Sequence, residues 1–142
     1  MSNSNDLNFN IKEFSVNDII TLLNNNQIKY ENNGNVDSHI LEFIALNTPL
    51  YPLIVKYDNS KSTDKLSYKI FKGNGVLRTL KYYIIDDIPI TDFFILTELN
   101  GKKFSEFPMQ YQRRIKERFL TMYIDNSSNV IYKYLNMIRN SD

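Results

Sequence analysis

The chain has 142 residues, of which 42% are hydrophobic, and a formal net charge of +1 at pH 7. This length predicts one domain with one core, and the nearly neutral charge argues against a general electrostatic affinity for nucleic acids or anionic membranes. The sequence has no cysteine and a single histidine, His39, which excludes thiol catalysis, disulfides, Cys-ligated zinc and His-cluster metal sites. We therefore expect neither a metal site nor a cofactor.

The N-terminal segment is polar and rich in Asn. It lacks the basic and apolar stretches of a signal peptide, and the apolar runs of the chain are too short to span a bilayer. We expect an intracellular protein without a membrane partner, in which residues 1–14 form a flexible polar arm and residues 15–142 a single domain.

Residues with AT-rich codons, namely Asn, Ile, Lys and Tyr, are abundant. This bias indicates a genome of low GC content, such as those of many parasites, low-GC bacteria and large DNA viruses. We interpret it as a property of the host genome and not of the fold. If the source is viral, the expected location is the cytoplasm, the virion or the viral factory.

The first half of the chain contains two helical patterns and three strand patterns. Ser15 resembles an N-cap, because apolar residues follow it at helical spacing, and Asn47-Thr48-Pro49 ends the second helix. The two longer strands are expected to pair as a hairpin across a polar turn at residues 58–64. The predicted elements are a helix at 16–23, a strand at 27–30, a helix that begins at Asp37 or Ser38, and strands at 50–57 and 66–71.

The second half mixes helices and strands at similarly short spacing. Its predicted elements are a tight turn at 72–75, a helix at 76–85, a strand at 93–99, an Asn-Gly turn at 100–101, a helix from Pro108 to about Arg118, a strand at 119–124 and a last helix that ends near Arg139. This alternation predicts an α+β (mixed α/β) fold: one domain with short strands and about four to five helices.

The strongest candidate for chemistry is the turn Lys72-Gly73-Asn74-Gly75 together with Arg78. Two glycines allow the backbone to approach a phosphate, amides at the start of the next helix point at an anion, and the two basic side chains add positive charge. This pattern is typical of a phosphate or nucleotide site. It is more typical of a plain strand-to-helix turn that needs glycine for a positive φ.

A second group of candidates is basic and could contact nucleic acid, or could simply form the solvated face of a helix. Its members are Lys102, Lys103, Arg113, Arg114, Lys116 and Arg118.

The remaining candidates for a functional site are weaker. Asp86, Asp87 and Asp92 suggest a helix-terminating loop more than a metal site, and His39 a solvated or capping residue more than a base. Tyr82, Tyr83, Phe93 and Phe94 could leave an apolar patch for a partner.

The segment from Tyr68 to Tyr82 reads YKIFKGNGVLRTLKY. It resembles the motif region of the N-terminal, ParB-like domain of GmrSD-type restriction proteins, where a strand leads into Asp-Gly-Gln-Gln-Arg and a helix that begins Leu-x-Thr-Leu. The matching residues are Gly73, Leu77, Thr79 and Leu80. The differing residues are Lys72 in place of the Asp, Asn74 and Gly75 in place of the two Gln, and Val76 in place of the Arg.

The resemblance extends over most of the chain, through residues 14–19, 36–55, 99–108 and 119–136. The segment LNGKKFSEFP at 99–108, for example, resembles the family's LNGKxFSELP. A second polar signature of the family, a Gln-Arg pair after the first strand, is replaced by Glu31-Asn32-Asn33.

The resemblance implies a ParB/sulfiredoxin-like α+β fold and relatives that are nucleotide-dependent or cleave DNA. The changed motif implies that this chain has lost such activity. The first hypothesis is therefore a non-catalytic structural or interaction module, with another protein or further copies of itself as partner. The alternatives are a nucleotide-binding switch that uses the Lys72–Gly75 turn and a DNA-binding module that uses the basic helix from Arg113 to Arg118.

Overall fold

The computed structural model describes residues 9–33, 35–58 and 67–125. Within these ranges a five-stranded mixed sheet and four α-helices form one α+β domain, which is the fold class that the sequence predicts. The elements are β1 (Phe9–Ser15), α1 (Val16–Asn24), β2 (Ile28–Lys29), α2 (Ser38–Ala45), β3 (Leu53–Tyr57), β4 (Tyr68–Lys72), α3 (Asn74–Leu80), α4 (Met109–Lys116) and β5 (Phe119–Asp125). A π-helical turn at Lys81–Ile85 continues α3, and short 3-10 turns lie at Thr97–Leu99 and Phe104–Glu106.

The strands lie in the order β1-β5-β3-β4-β2. β1 is antiparallel to β5, and β3 is antiparallel to β4, which confirms the predicted hairpin. The pairs β3/β5 and β4/β2 are parallel. The hairpin register shifts between Ile54 and Val55, close to the point where β4 leads into α3.

Local signals at the ends of α1 and α2 explain why these helices are predicted correctly. The Ser15 hydroxyl accepts a hydrogen bond from the Asp18 amide at 3.0 Å, and the Asp18 carboxylate accepts one from the Ser15 amide at 3.2 Å, so the first turn of α1 has a reciprocal cap. The Asp37 carboxylate accepts from the His39 amide at the start of α2. Apolar side chains at helical spacing, such as Val16, Ile19 and Leu23 of α1, are buried in the core.

Residues 9–14, predicted to belong to a flexible arm, instead form most of β1. They pair with β5 in a continuous register from Phe9 opposite Asp125 to Ser15 opposite Phe119. β1 lies at the edge of the sheet, and its Ile11 side chain is 60% exposed. Backbone pairing holds this strand along its length, and Phe14 near its end also packs against the core. Because residues 11–13 are all exposed, the sequence carries no periodic burial pattern that would reveal the strand. Residues 1–8 and nearly all of the predicted last helix lie outside the described residues.

The strand predicted at residues 93–99 is wrong, because these residues form a loop and the 3-10 turn Thr97–Leu99. The amides of residues 93–96 bond to side chains and not to a neighbouring strand. The Glu42 carboxylate accepts from the amides of Phe94, Ile95 and Leu96 at 3.0, 2.6 and 2.8 Å. The Asn100 side chain binds both the amide and the carbonyl of Phe93, at 2.7 and 3.0 Å.

Glu42 is a buried carboxylate of α2, with only 1% of its surface exposed. Burial alone would raise the pKa of its carboxyl group, but the three loop amides and the nearby His39 imidazole outweigh that effect and hold the pKa below its ordinary value of 4.5. The ionised form is thus the one that the loop stabilises.

None of the helices within the described ranges is long and apolar enough to cross a membrane.

We predict that Glu42→Gln lowers the free energy of unfolding by about 2 kcal/mol at pH 7, because a neutral amide cannot accept all three hydrogen bonds. In the wild type the folded-state pKa lies below the unfolded one, so the stabilisation is present above about pH 4.5 and is lost as the pH falls through the folded value. Urea unfolding at pH values from about 3 to about 7 measures both the lower stability of Glu42→Gln and the pH dependence of the wild type.

The exposed residue Glu117 provides the matched control, and Glu117→Gln should behave as the wild type does. A Glu42→Gln variant whose stability fell on acidification as steeply as that of the wild type would contradict the assignment of this pH dependence to Glu42.

Candidate functional site

The turn between β4 and α3 lies directly against β3. Gly73 has φ of +113°, a backbone conformation that favours glycine, and a Cβ atom built on it would overlap the Leu53 side chain. Gly75 has an ordinary φ, and a Cβ there would meet Ile40 at a normal contact distance of 3.8 Å. Of the two glycines in the predicted turn, therefore, Gly73 is the one that the backbone requires.

Asn74, the first residue of α3, uses its side chain to hold β2. Its Oδ1 accepts from the Glu31 amide at 2.6 Å, and its Nδ2 donates to the Glu31 carbonyl at 2.9 Å. This pair of bonds is the one that a neighbouring strand residue would make. The Asn74 side chain thus extends the pairing of the two-residue strand β2. The sequence pattern predicts a binding role for Asn74 and does not reveal this structural one.

Other polar groups of α3 also bond within the fold. The amides of Val76 and Leu77 both donate to the Gly73 carbonyl, at 3.0 and 3.3 Å. The Arg78 Nη1 donates to the Asn33 carbonyl at 3.0 Å. The buried Thr79 hydroxyl lies 3.4 Å from both the amide and the carbonyl of Asp37. Arg78 and Thr79 therefore secure the segment that leads into α2.

A cleft of about 880 Å³ lies beside the turn, between α2 and the start of α3. Its volume is typical of sites that enclose a small molecule. Eight of the twelve described residues that line it are apolar or aromatic, and Lys72 is the only one of the twelve with a charge at neutral pH. The lining consists of Ile40, Phe43, Pro49, Leu50, Tyr51, Pro52, Phe71, Lys72, Gly73, Asn74, Gly75 and Val76.

The cleft contains four of the five residues of the predicted phosphate site, namely Lys72, Gly73, Asn74 and Gly75, but not Arg78. None of the lining residues is a carboxylate. The lining can therefore bury an apolar group and neutralise one negative charge, but it offers no acidic ligand for Mg²⁺ and no carboxylate base.

The predicted basic residues have different surroundings. Arg113 and Lys116 line a second cleft of about 650 Å³ near α4, together with the acidic residue Glu117. The Arg114 guanidinium lies 5.4 Å from the centre of the Tyr111 ring. Lys102 and Lys103 are exposed in the segment that precedes α4.

Arg118 caps the C-terminal end of α2. Its guanidinium donates to the carbonyls of Phe43, Ile44 and Thr48, at 3.2, 3.4 and 2.7 Å. A cation is favourable at this end of a helix, where carbonyls lack partners within the helix. Burial lowers the pKa of the guanidinium from its usual value. This partly buried residue thus has a structural role where the sequence suggested contact with nucleic acid.

Two of the acidic candidates, Asp86 and Asp87, are engaged in local contacts. Asp87 has a positive φ of 56° and accepts from both the amide and the hydroxyl of Ser105, and the hydroxyl contributes most to lowering the pKa of the Asp87 carboxyl. Asp86 pairs with Lys81 at 2.7 Å. Within the described ranges, no group of three or more His, Asp or Glu side chains is arranged to hold a metal ion.

The predicted aromatic patch is divided between the core and the surface. Tyr83 and Phe93 are buried, Tyr82 is 39% exposed, and Phe94 is 82% exposed next to Ile95 at 61%. Sequence reasoning missed Ile95 and Glu42. Glu42 could have been found, because it continues the buried stripe of Ser38, Leu41 and Ala45 on α2 and a charge on an apolar helix face needs a partner.

In comparisons with known proteins, no family model, no curated protein and no solved structure matches this chain.

We predict opposite effects for the two glycines of the turn. Gly73→Ala should destabilise the protein by about 2 kcal/mol, because it combines a positive φ with an overlap at Leu53. Gly75→Ala should be neutral or stabilise it by up to roughly 1 kcal/mol, because alanine favours the helix. Chemical unfolding of both variants measures the difference, and equal effects would contradict the assigned geometry of the turn.

Arg118→Lys should lower the free energy of unfolding by about 1–2 kcal/mol, because an ammonium group cannot reach three carbonyls with the planar fork of a guanidinium. The matched change Arg114→Lys, on an exposed side chain, should stay within about 0.5 kcal/mol of the wild type. Thermal and urea unfolding make the comparison. An Arg118→Lys variant as stable as wild type would show that the cap contributes little.

Proposed function

We propose that this chain is a non-catalytic interaction module, a degenerate relative of the GmrSD-type ParB-like domain, and that the cleft beside the Lys72–Gly75 turn binds an apolar segment of a protein partner. The observation that carries the proposal is the lining of this cleft, which is mostly apolar, has one cation and lacks a carboxylate among its described residues. Burial of apolar surface drives association in such a site, and Lys72 favours a partner with a negative charge.

The hydrogen bonds around the turn support the same proposal. Phosphoryl transfer and DNA cleavage require groups that bind a metal ion or position water. Here the Asn74 amide is bonded to Glu31, and Arg78 donates to the Asn33 carbonyl. The polar residues that follow Gly73 in the chain thus serve the packing of β2 and the approach to α2.

Nucleotide binding is the second candidate function, because Lys72, Gly73, Asn74 and Gly75 do lie in the wall of the cleft. Against it stands the bonding of the Val76 and Leu77 amides to the Gly73 carbonyl, which leaves fewer donors at the start of α3 for a phosphate. In this alternative the base would occupy the apolar part of the cleft, near Tyr51, and Lys72 would neutralise the phosphate.

One titration series compares the two candidates. An apolar aromatic anion, anilinonaphthalene sulfonate, and the nucleotides ATP, GTP and CTP with Mg²⁺ are each added while two-dimensional amide NMR is recorded. We expect the dye to bind saturably with shifts at Phe71 and Val76, and Val76→Glu to weaken this binding because it adds a carboxylate to the wall. Phe119→Ser, an exposed position outside this cleft, is the control.

The nucleotides should give neither amide shifts nor thermal stabilisation. A bound nucleotide at about one hundred times its dissociation constant would stabilise the fold by roughly 2.7 kcal/mol, or several degrees in Tm. Such a stabilisation would favour the nucleotide-binding candidate. Turnover of a nucleotide or cleavage of DNA by the pure protein would overturn the non-catalytic proposal.

A further inference from the structure

Residues 92–98, called here the acidic apolar loop, present two large apolar side chains to solvent on a fixed backbone. Phe94 is 82% exposed and Ile95 61% exposed. The amides of both residues are nevertheless bound by the buried Glu42 carboxylate, at 3.0 and 2.6 Å. A loop held in this way loses little conformational entropy when its side chains enter a partner.

The surroundings of these two side chains are negatively charged. Asp92 and Glu98 lie on either side of them and are both exposed. Between residues 88 and 101 the sequence contains these two carboxylates and neither Lys nor Arg, whereas the preceding Asp86 is paired with Lys81. The loop therefore combines exposed apolar groups with a negative charge.

The cleft beside the Lys72–Gly75 turn is complementary to this loop in polarity and in the sign of its charge. Its lining is mostly apolar, with Tyr51 89% exposed at its surface, and Lys72 is the only charged side chain among the described residues that line it. Charge complementarity of this kind selects partners and fixes their orientation. The cleft thus suits a segment that pairs apolar side chains with carboxylates, as the acidic apolar loop does.

The two surfaces lie on different flanks of α2. Ile40, which lines the cleft, and Glu42, which holds the loop, are two residues apart and therefore point about 200° apart around the helix axis. Since three hydrogen bonds hold the loop backbone on the Glu42 flank, the loop of one molecule does not reach the cleft of the same molecule.

We propose that this protein associates with copies of itself head to tail, the acidic apolar loop of one copy inserting Phe94 and Ile95 into the cleft of the next. This inference rests on the cleft being the binding site proposed above. Because the two surfaces differ, the contact is heterologous and repeats into an open chain or a ring. Its small size makes it a weak contact that forms at high protein concentration.

Sedimentation velocity of the full chain, from about 10 µM to about 1 mM, measures the association. The loop variant Phe94→Asp and the cleft variant Tyr51→Asp both change exposed side chains, and circular dichroism and thermal unfolding verify that each is folded. We expect the wild-type mass to rise with concentration and each variant to associate at least about tenfold more weakly. Phe119→Asp, at an apolar residue with 62% exposure elsewhere on the surface, should associate as the wild type does.

A mixture of the two variants decides the geometry. The intact cleft of Phe94→Asp can accept the intact loop of Tyr51→Asp, so the mixture should form a dimer and nothing larger. In a symmetric contact, one surface of a copy binds the same surface of its partner, so mixing the two variants would not restore association. That result would overturn the proposal. Loss of association in Phe119→Asp alone would overturn it as well.

The result also separates this inference from the proposed function. A wild type that stays monomeric up to about 1 mM, while anilinonaphthalene sulfonate still binds the cleft, would overturn self-association and leave the cleft as a site for another partner. A wild type that associates in the predicted manner but binds no dye would support the loop as the specific ligand. A wild type that neither associates nor binds the dye would overturn both proposals.

Discussion

The position of α2 depends on three polar contacts that come from three different parts of the chain. Thr79 of α3 bonds to the backbone at the first turn, Glu42 bonds to the loop amides, and Arg118 bonds to the last carbonyls. Two of these groups are charged, and both bond to backbone groups, which is a strong form of hydrogen bond. The His39 imidazole lies 3.5 Å from the Glu42 carboxylate as well. Because α2 separates the cleft from the acidic apolar loop, these contacts also set the distance and orientation between the two surfaces.

The sequence predicted those elements whose ends carry local signals. Ser15 with Asp18 marks the start of α1, and Asn47-Thr48-Pro49 follows α2 closely. It did not predict β1, since an edge strand whose central residues 11–13 are all exposed has no periodic burial pattern to detect. Residues 93–99 were misassigned because a short apolar run does not distinguish a strand from a loop. The loop conformation of this segment depends on hydrogen bonds to Glu42, a residue 52 positions away from Phe94 along the chain.

The local structure of the candidate site is predictable from the sequence, but its surroundings are not. The pattern of Lys72, Gly73 and Gly75 predicts a turn between a strand and a helix, and the structure has that turn, beside a cleft that the sequence does not predict. The direction of the side chains was not predictable, because Asn74 and Arg78 bond to residues 43 and 45 positions away in sequence. Spacing along a chain determines which residues are neighbours on one element, whereas the partner across a loop depends on the tertiary fold.

The two asparagine side chains that imitate a neighbouring strand are both followed by glycine, in Asn74-Gly75 and Asn100-Gly101. In an Asn-Gly pair the glycine amide nitrogen is unhindered and can attack the side-chain carbonyl, which releases ammonia and leaves aspartate or isoaspartate after hydrolysis. The product has a carboxylate where Nδ2 donated to a carbonyl, so attraction becomes repulsion at Glu31 or Phe93. Asn33-Gly34 is a third Asn-Gly pair of the chain. Chemical ageing at Asn74 should therefore weaken the fold at the edge strand β2, and ageing at Asn100 should weaken it at the base of the acidic apolar loop. Peptide mass spectrometry of stored protein would detect both products.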